Sequence, residues 1–147
     1  MQIKRLQIDD YLCLVDFDIV FDTVSGGSST ILIGENGAGK STMIECILNI
    51  LMSFDSPAIE KQIDYSYSME YNYAQKAVCI VQSNHNYRIT VDDVFCEGSY
   101  KRVRSFIQSH SLFPQRIIAF YSGANNKLLP QIERINKSYV RQCRNTL

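Results

Sequence analysis

One short glycine-rich segment limits what this chain can fold into more than any other feature. Residues 34–41 read GENGAGKS, which fits the spacing G-x-x-x-x-G-K-[ST]. The unbroken apolar run Thr30–Ile33 precedes it, and an amphipathic stretch, residues 41–54, follows it. Unbroken β-branched runs are typical of strands buried on both faces, and apolar residues three or four positions apart are typical of helices. The sequence therefore predicts a buried central strand, a tight turn and a helix.

This strand–loop–helix pattern suits the binding of a polyphosphate. The three glycines, Gly34, Gly37 and Gly39, permit sharp backbone dihedral angles and keep Cβ atoms out of the path of an anion. Successive N–H groups of such a loop converge on one phosphate, and the N-terminus of the following helix adds unpaired N–H groups. The alternative, a glycine-rich turn with an incidental lysine, is disfavoured by the strand and helix pattern on either side.

The polar residues of the motif have separate predicted roles. Lys40 supplies a cation for the β- and γ-phosphates and is the candidate catalytic residue. Ser41 offers a hydroxyl to Mg²⁺, which prefers oxygen ligands, and is the candidate metal ligand. Thr42 is placed to donate a hydrogen bond to the α-phosphate.

Period-two patterns predict β-structure on both sides of this motif. Residues 2–9 form a first strand, and 11–22 form a half-buried second strand with a mostly acidic outer face. The inward residues of that second strand are Val15, Phe17, Ile19 and Phe21. Residues 62–95 alternate in the same way and predict an antiparallel meander of about three strands, which Glu97-Gly98 ends.

The last third of the chain has weaker patterns. Val103, Phe106 and Ile107 predict a short helix, residues 116–121 a short buried strand, and residues 127–147 a basic helix. The basic concentrations at 101–104 and 134–144 favour solvated helix faces over nucleic-acid contacts. His85 and His110 lie in polar, turn-like settings and are interpreted as solvated surface residues.

Composition narrows the cellular setting. The chain has 147 residues with 15 Lys and Arg against 15 Asp and Glu, so its formal net charge is zero. Domains whose whole surface binds nucleic acid are usually strongly basic. No apolar run approaches the roughly 18 residues that span a bilayer, and no signal-peptide pattern opens the chain. Five scattered cysteines without a CxxC pair predict reduced thiols. These features together predict a cytoplasmic protein.

The segment ILIGENGAGKSTMIECILNIL, with IKRLQIDDYLCLVDFDIVF before it, resembles the N-terminal half of the head of SMC/RecF-like ABC-class P-loop ATPases. In that group a pair of strands precedes a GxNGxGKS/T loop, whose inner residues Asn36 and Gly37 match. The segment 62–95 resembles the antiparallel lobe of such heads. The stretch RIIAFYSGANNKL is similar to one in bacterial ATPases of restriction-associated and antiphage systems, such as the PtuA-like group.

The resemblance implies a fold, a site and partners. The fold is α/β, a P-loop NTPase-like mixed sheet with an antiparallel β-meander lobe, incomplete within this chain. Residues 1–147 form a single partial head, divided into 1–56, 62–95 and 100–147. The cofactors are ATP and Mg²⁺, and the partner is a second copy, another ATPase head or a nuclease subunit, with DNA binding left open. The nucleotide-binding residues are Gly34, Asn36, Gly37, Ala38, Gly39, Lys40, Ser41 and Thr42, with Tyr11 or the nearby loop beside the base.

Several motifs of such ATPases have no clear counterpart. Residues 89–93 are nearest to a Walker B strand, but their alternation favours an edge strand entering a turn. Residues 24–28 mimic a signature loop, but their place between two strands favours a hairpin turn. Gln82 and Gln115 both stay open as the glutamine that contacts the metal or its water, and an ordinary strand-end glutamine is the favoured interpretation of Gln82.

Two functions follow. The first is an ATP-binding, ATPase-type head that hydrolyses ATP only when a C-terminal half and a partner head complete it, coupled to DNA transactions or antiphage defence. The second is a non-catalytic regulatory or interaction module with the same fold. A P-loop kinase is disfavoured because its strands are usually parallel throughout, whereas this chain carries a tyrosine-rich antiparallel segment.

Overall fold

The computed structural model describes residues 1–21, 31–54, 60, 63–114 and 133. The chain divides into two compact units, residues 1–40 with 65–115 and residues 41–64 with 116–147. The helices and strands of the described part are β1 Gln2–Tyr11, β2 Leu14–Val20, α1 Lys40–Ser53, β3 Tyr67–Tyr73, β4 Lys76–Ser83, β5 Asn86–Val91, β6 Val94–Gly98 and α2 Tyr100–Ser109.

The strands of the first unit form one six-stranded sheet in the order β2-β1-β3-β4-β5-β6. Each pair of neighbours in it is antiparallel. Strand β1 lies between its hairpin partner β2 and the distant strand β3. The α/β class and the antiparallel meander are therefore confirmed, whereas the mixed parallel and antiparallel sheet is not found in the described residues.

Three cross-strand rows of apolar side chains build the buried face of this sheet. In the central row, Leu6, Met69, Ile80 and Ile89 lie opposite one another on four adjacent strands and are fully buried. Directly opposed residues of neighbouring strands are the pairs that stabilise a sheet. The flanking rows are Ile8–Tyr67–Gln82–Tyr87 and Ile3–Tyr71–Val78–Val91.

The helix α2 and the segment after it extend this core. Val103 and Ile107 are the buried residues of α2, which contacts β5 and β6. After the helix, Leu112 is buried and its carbonyl oxygen accepts a hydrogen bond of 3.1 Å from the Tyr71 hydroxyl. The Phe113 ring lies 5.4 Å from the Tyr71 ring. Tyr71 therefore ties the end of α2 to the middle of the sheet, and burial raises the pKa of its hydroxyl far above the usual value.

The opposite face of the sheet is polar and carries ion pairs near both edges. The Arg5 guanidinium donates to both carboxylate oxygens of Asp18, at 2.9 and 2.5 Å, across β1 and β2. The Arg88 guanidinium donates to Glu97 at 2.9 and 2.6 Å across β5 and β6. These hydrogen bonds lower the pKa of Asp18 and of Glu97 below their usual values.

The meander differs from the predicted one at its C-terminal end. It has four strands, β3 to β6, instead of about three, and Glu97 and Gly98, predicted to follow the meander and end it, are the last two residues of β6. Gly98 has a φ of +140°, which only glycine adopts easily. Strand β5 lies between β4 and β6, so the interpretation of residues 89–93 as an edge strand was wrong, although the turn that follows is confirmed.

The predicted central strand before the glycine-rich loop was also wrong. Residues 31–33 are not in a strand, and Ile31 and Ile33 are 82% and 91% exposed. Thr30 lies outside the described residues. A central strand is buried only when it has a paired strand on each side, and no described strand pairs with this segment.

The second strand is less buried than its alternation predicts. Val15 is 63% exposed, and Phe17, Ile19 and Phe21 are half-buried, because β2 is an edge strand of the sheet. The acidic outer face is confirmed, since Asp16 and Asp18 are exposed.

In the second unit, α1 confirms the predicted helix within one residue at each end. Its buried surface is wider than an amphipathic pattern predicts and includes Glu45 and Ser53, whose hydroxyl donates to the Ile50 carbonyl oxygen at 2.7 Å.

The remaining predictions concern the histidines, the cysteines and several segments outside the described residues. His85 and His110 are exposed, as predicted, and the four described cysteines, Cys13, Cys46, Cys79 and Cys96, are reduced. The predictions for residues 24–28, Gln115, 116–121, 127–147 and Cys143 lie outside the described residues. Among the described helices, none has the length and apolar character needed to cross a membrane.

Replacing Tyr71 by Phe should lower the free energy of unfolding by about 1–2 kcal/mol, because a buried carbonyl oxygen loses its donor. The control is Tyr73→Phe, on the half-buried ring at the end of the same strand, which should change it by less than about 0.5 kcal/mol. Urea unfolding measures both. Equal effects would contradict the role given to the Tyr71 hydroxyl.

The two ion pairs should contribute to stability only above acid pH. Their carboxyl pKa values are lowered in the folded chain, so the contribution is present above the ordinary carboxyl pKa and is lost as the pH falls through the lowered values. When the pH is lowered from neutral to acid, the melting temperature of the double variant Asp18→Asn, Glu97→Gln should therefore fall less than that of the parent. The control, Asp93→Asn in an exposed turn, should follow the parent.

Candidate phosphate-binding site

The glycine-rich loop is an exposed turn that leads directly into α1. Residues 33–38 are exposed, Gly39 is buried, and the helix begins at Lys40. Gly37 and Gly39 have φ values of 92° and 82°, in the left-handed region that favours glycine. The expectation of an unusual dihedral angle is confirmed for these two residues and is wrong for Gly34, which is not among the positive-φ glycines.

The Lys40 side chain bends back over the loop that precedes it. Its Nζ donates to the carbonyl oxygens of Gly34 and Glu35 at 2.5 and 2.6 Å. A lysine ammonium has three N–H donors, so these two bonds leave one donor for an anion. The bonds hold the positive charge at the mouth of the loop, where a Cβ on residue 34 would lie 3.7 Å from Nζ.

The other predicted residues follow the chain from the loop into the helix. Asn36 and Ala38 are exposed in the turn, where the Ala38 N–H donates to the Glu35 carbonyl oxygen at 3.3 Å. Ser41 is half-buried and Thr42 is buried in the first turn of α1. That turn contains no acidic residue, so no carboxylate of its own opposes an anion at the positive end of the helix.

The β1–β2 hairpin lies against the loop, a contact that the motif does not reveal. A Cβ on Gly39 would lie 2.8 Å from Cδ2 of Leu14 and 3.3 Å from Sγ of Cys13. Gly37, by contrast, has no atom within 4 Å of such a Cβ. Alternation marks Leu14 only as one more apolar residue of a strand, so nothing in the sequence indicated this role. Tyr11, predicted near the base, has its ring 4.4 Å from the ring of Tyr65.

Two described residues were considered for completing a hydrolytic centre, Asp92 and Gln82. Asp92 accepts a 3.3 Å hydrogen bond from the Ala77 N–H through its carboxylate, and its own N–H donates to the Ala77 carbonyl oxygen. Gln82 is buried within β4, in a row with Tyr67 and Tyr87, and its side-chain oxygen has no hydrogen-bond partner among the described residues. No cluster of three or more His, Cys, Asp or Glu side chains in the described part could hold a metal ion.

A cavity of about 410 Å³ lies elsewhere on the first unit. It is lined by Asp9, Asp16 and Asp18 and by none of the loop residues. Asp18 is paired with Arg5, but the carboxylates of Asp9 and Asp16 still disfavour a polyphosphate by like-charge repulsion, so the cavity suits a nucleotide less well than the loop does.

One of the comparisons with known proteins assigns the chain to a family. A family model described as an AAA domain matches residues 5–139. The chain belongs to this family. The AAA domain makes it an ATP-binding protein of the P-loop ATPase type. Neither a curated protein nor a solved structure matches it.

An alanine at position 39 of this AAA domain should be more harmful than one at position 37. Both positions have a positive φ, which costs an alanine about 1–2 kcal/mol, but only Gly39→Ala also drives a carbon into Leu14. Overpacking of this kind adds about 1–3 kcal/mol. Thermal unfolding of the two variants should show the larger loss for Gly39→Ala, and equal losses would contradict the tight contact.

Proposed function

We propose that this AAA domain binds Mg-ATP through residues 34–42. The observation that carries the proposal is the Lys40 ammonium, which is held over the loop by the Gly34 and Glu35 carbonyl oxygens. An incoming phosphate oxygen would accept from the remaining N–H and would offset the positive charge that the two carbonyl dipoles only partly balance. Gly37 and Gly39 shape the turn whose N–H groups would surround that phosphate.

The helix start supplies the rest of the proposed site. Ser41 would hold Mg²⁺ through its hydroxyl, together with phosphate oxygens, and the ion would neutralise charge on the β- and γ-phosphates. Thr42 follows it and would donate to the α-phosphate. The acid-free first turn of α1 adds a favourable dipole for all of these negative oxygens.

Hydrolysis needs more than this loop. Phosphoryl transfer to water requires a group that orients the attacking water and, in this class, a further acid for the metal. Among the described residues, Asp92 is engaged in a turn, and Gln82 is buried in β4 away from the glycine-rich loop. We therefore infer that turnover depends on residues from a further segment or from a second head, which would be a copy of this chain, another ATPase head or a nuclease subunit.

The biological setting is a proposal of the same kind. The similarity of the loop to SMC/RecF-like heads favours coupling of ATP binding to DNA transactions, and the stretch 116–128 favours antiphage defence. The second candidate function is a non-catalytic nucleotide-binding module. The structural use of Asp92 favours it, because one carboxylate oxygen of this residue in the nearest Walker B candidate already accepts from the Ala77 N–H.

The direct test is binding of a fluorescent ATP analogue with Mg²⁺. Lys40→Ala should weaken binding by about tenfold or more, since a charge-assisted hydrogen bond to phosphate is worth about 1.5–3 kcal/mol. The matched control is Lys76→Ala, at the start of β4, which should bind like the parent. Unchanged affinity in Lys40→Ala would exclude this loop as the site. Phosphate release, with and without DNA, separates the ATPase from the non-catalytic module.

A further inference from the structure

The tip of the β1–β2 hairpin lies so close to the phosphate-binding loop that only a residue without a side chain fits at position 39. Real Cβ atoms essentially never approach another heavy atom within 3.0 Å, and a Cβ on Gly39 would lie 2.8 Å from Cδ2 of Leu14. The Gly39 backbone therefore rests directly on the Leu14 side chain. Within the first unit, the hairpin therefore supports Gly39, the last residue before Lys40.

The Leu14 side chain has little freedom to move. Leu14 is only 2% exposed, so its side chain has no open space into which to turn. Its strand position is held by pairing with Tyr11, whose ring contacts Tyr65. β1 is held in turn by β3, where Ile8 lies opposite Tyr67. A series of contacts thus runs from β3, through β1, to Leu14 and the loop residue Gly39.

We propose that Leu14 is a positioning residue of the nucleotide site, an inference that rests on the proposed function. It keeps Gly39 at its positive φ and so sets the direction of the N–H groups that precede Lys40. Because close-packed interiors transmit small volume changes, shortening Leu14 lets the loop sink and misplaces these donors. Leu14 does not touch the nucleotide and acts through Gly39.

The test is a double-mutant cycle on affinity for a fluorescent ATP analogue with Mg²⁺, using the full chain below the melting temperature of every variant. Leu14→Val removes the Cδ atoms while keeping a branched strand residue. Leu6→Val, the same truncation at a fully buried position of β1 away from the loop, is the matched control. Gly39→Ala is made in the parent, in Leu14→Val and in Leu6→Val.

Leu14→Val should weaken binding several-fold, and Leu6→Val should not. Gly39→Ala should weaken binding about tenfold or more in the parent and in Leu6→Val, but clearly less in Leu14→Val, because coupled neighbours are not additive. A purely structural role predicts equal losses for both leucine variants and an additive cycle, and that result would overturn the inference. Leu14→Met, whose side chain fills a volume similar to that of leucine, should bind the analogue as well as the parent does.

The same titrations separate the two proposals. If the parent binds no nucleotide, or if Lys40→Ala binds as well as the parent, the proposed function fails. If Lys40→Ala loses binding while the Leu14 and Gly39 cycle is additive, the proposed function stands and only the positioning role of Leu14 is wrong.

Discussion

The pairing of β1 with β3 is the interaction on which the first unit depends. These strands are separated in sequence by the glycine-rich loop and by the whole of α1, and their pairing runs from Gln2↔Asn72 to Ile8↔Tyr67. It joins the N-terminal hairpin to the meander and aligns the apolar rows across the sheet. Since register fixes which side chains reach the core, this one pairing places Leu6 opposite Met69 and leaves Leu14 beneath Gly39.

Local chemistry explains why the loop and α1 could be predicted. A glycine-rich turn followed by a lysine and a long apolar helix is specified by neighbouring residues, and the helix begins at Lys40, one residue before the predicted start. The alternation in the meander is equally local, so its antiparallel strands followed from period-two patterns. The hairpin turn at Asn84 and His85, with φ values of 48° and 61°, could be predicted because asparagine favours such turns.

What escaped prediction depends on distant neighbours. The turn at Ala74 and Gln75 adopts φ values of 49° and 64° without a glycine or asparagine, because the paired strands on either side impose it. The burial expected at Ile31 and Ile33 required flanking strands that no local pattern reveals. The contact between Leu14 and Gly39 joins residues that the sequence separates by the rest of β2 and by the segment that leads into the glycine-rich loop. Such contacts are properties of the assembled sheet.

The exposure of Ile31 and Ile33 has a consequence for handling the protein. Two large aliphatic side chains exposed to water outside the sheet give other molecules an apolar surface on which to associate. Concentrated solutions should therefore self-associate through this stretch until another strand shields it. A lysine in place of either isoleucine would be the mildest way to keep such preparations monodisperse.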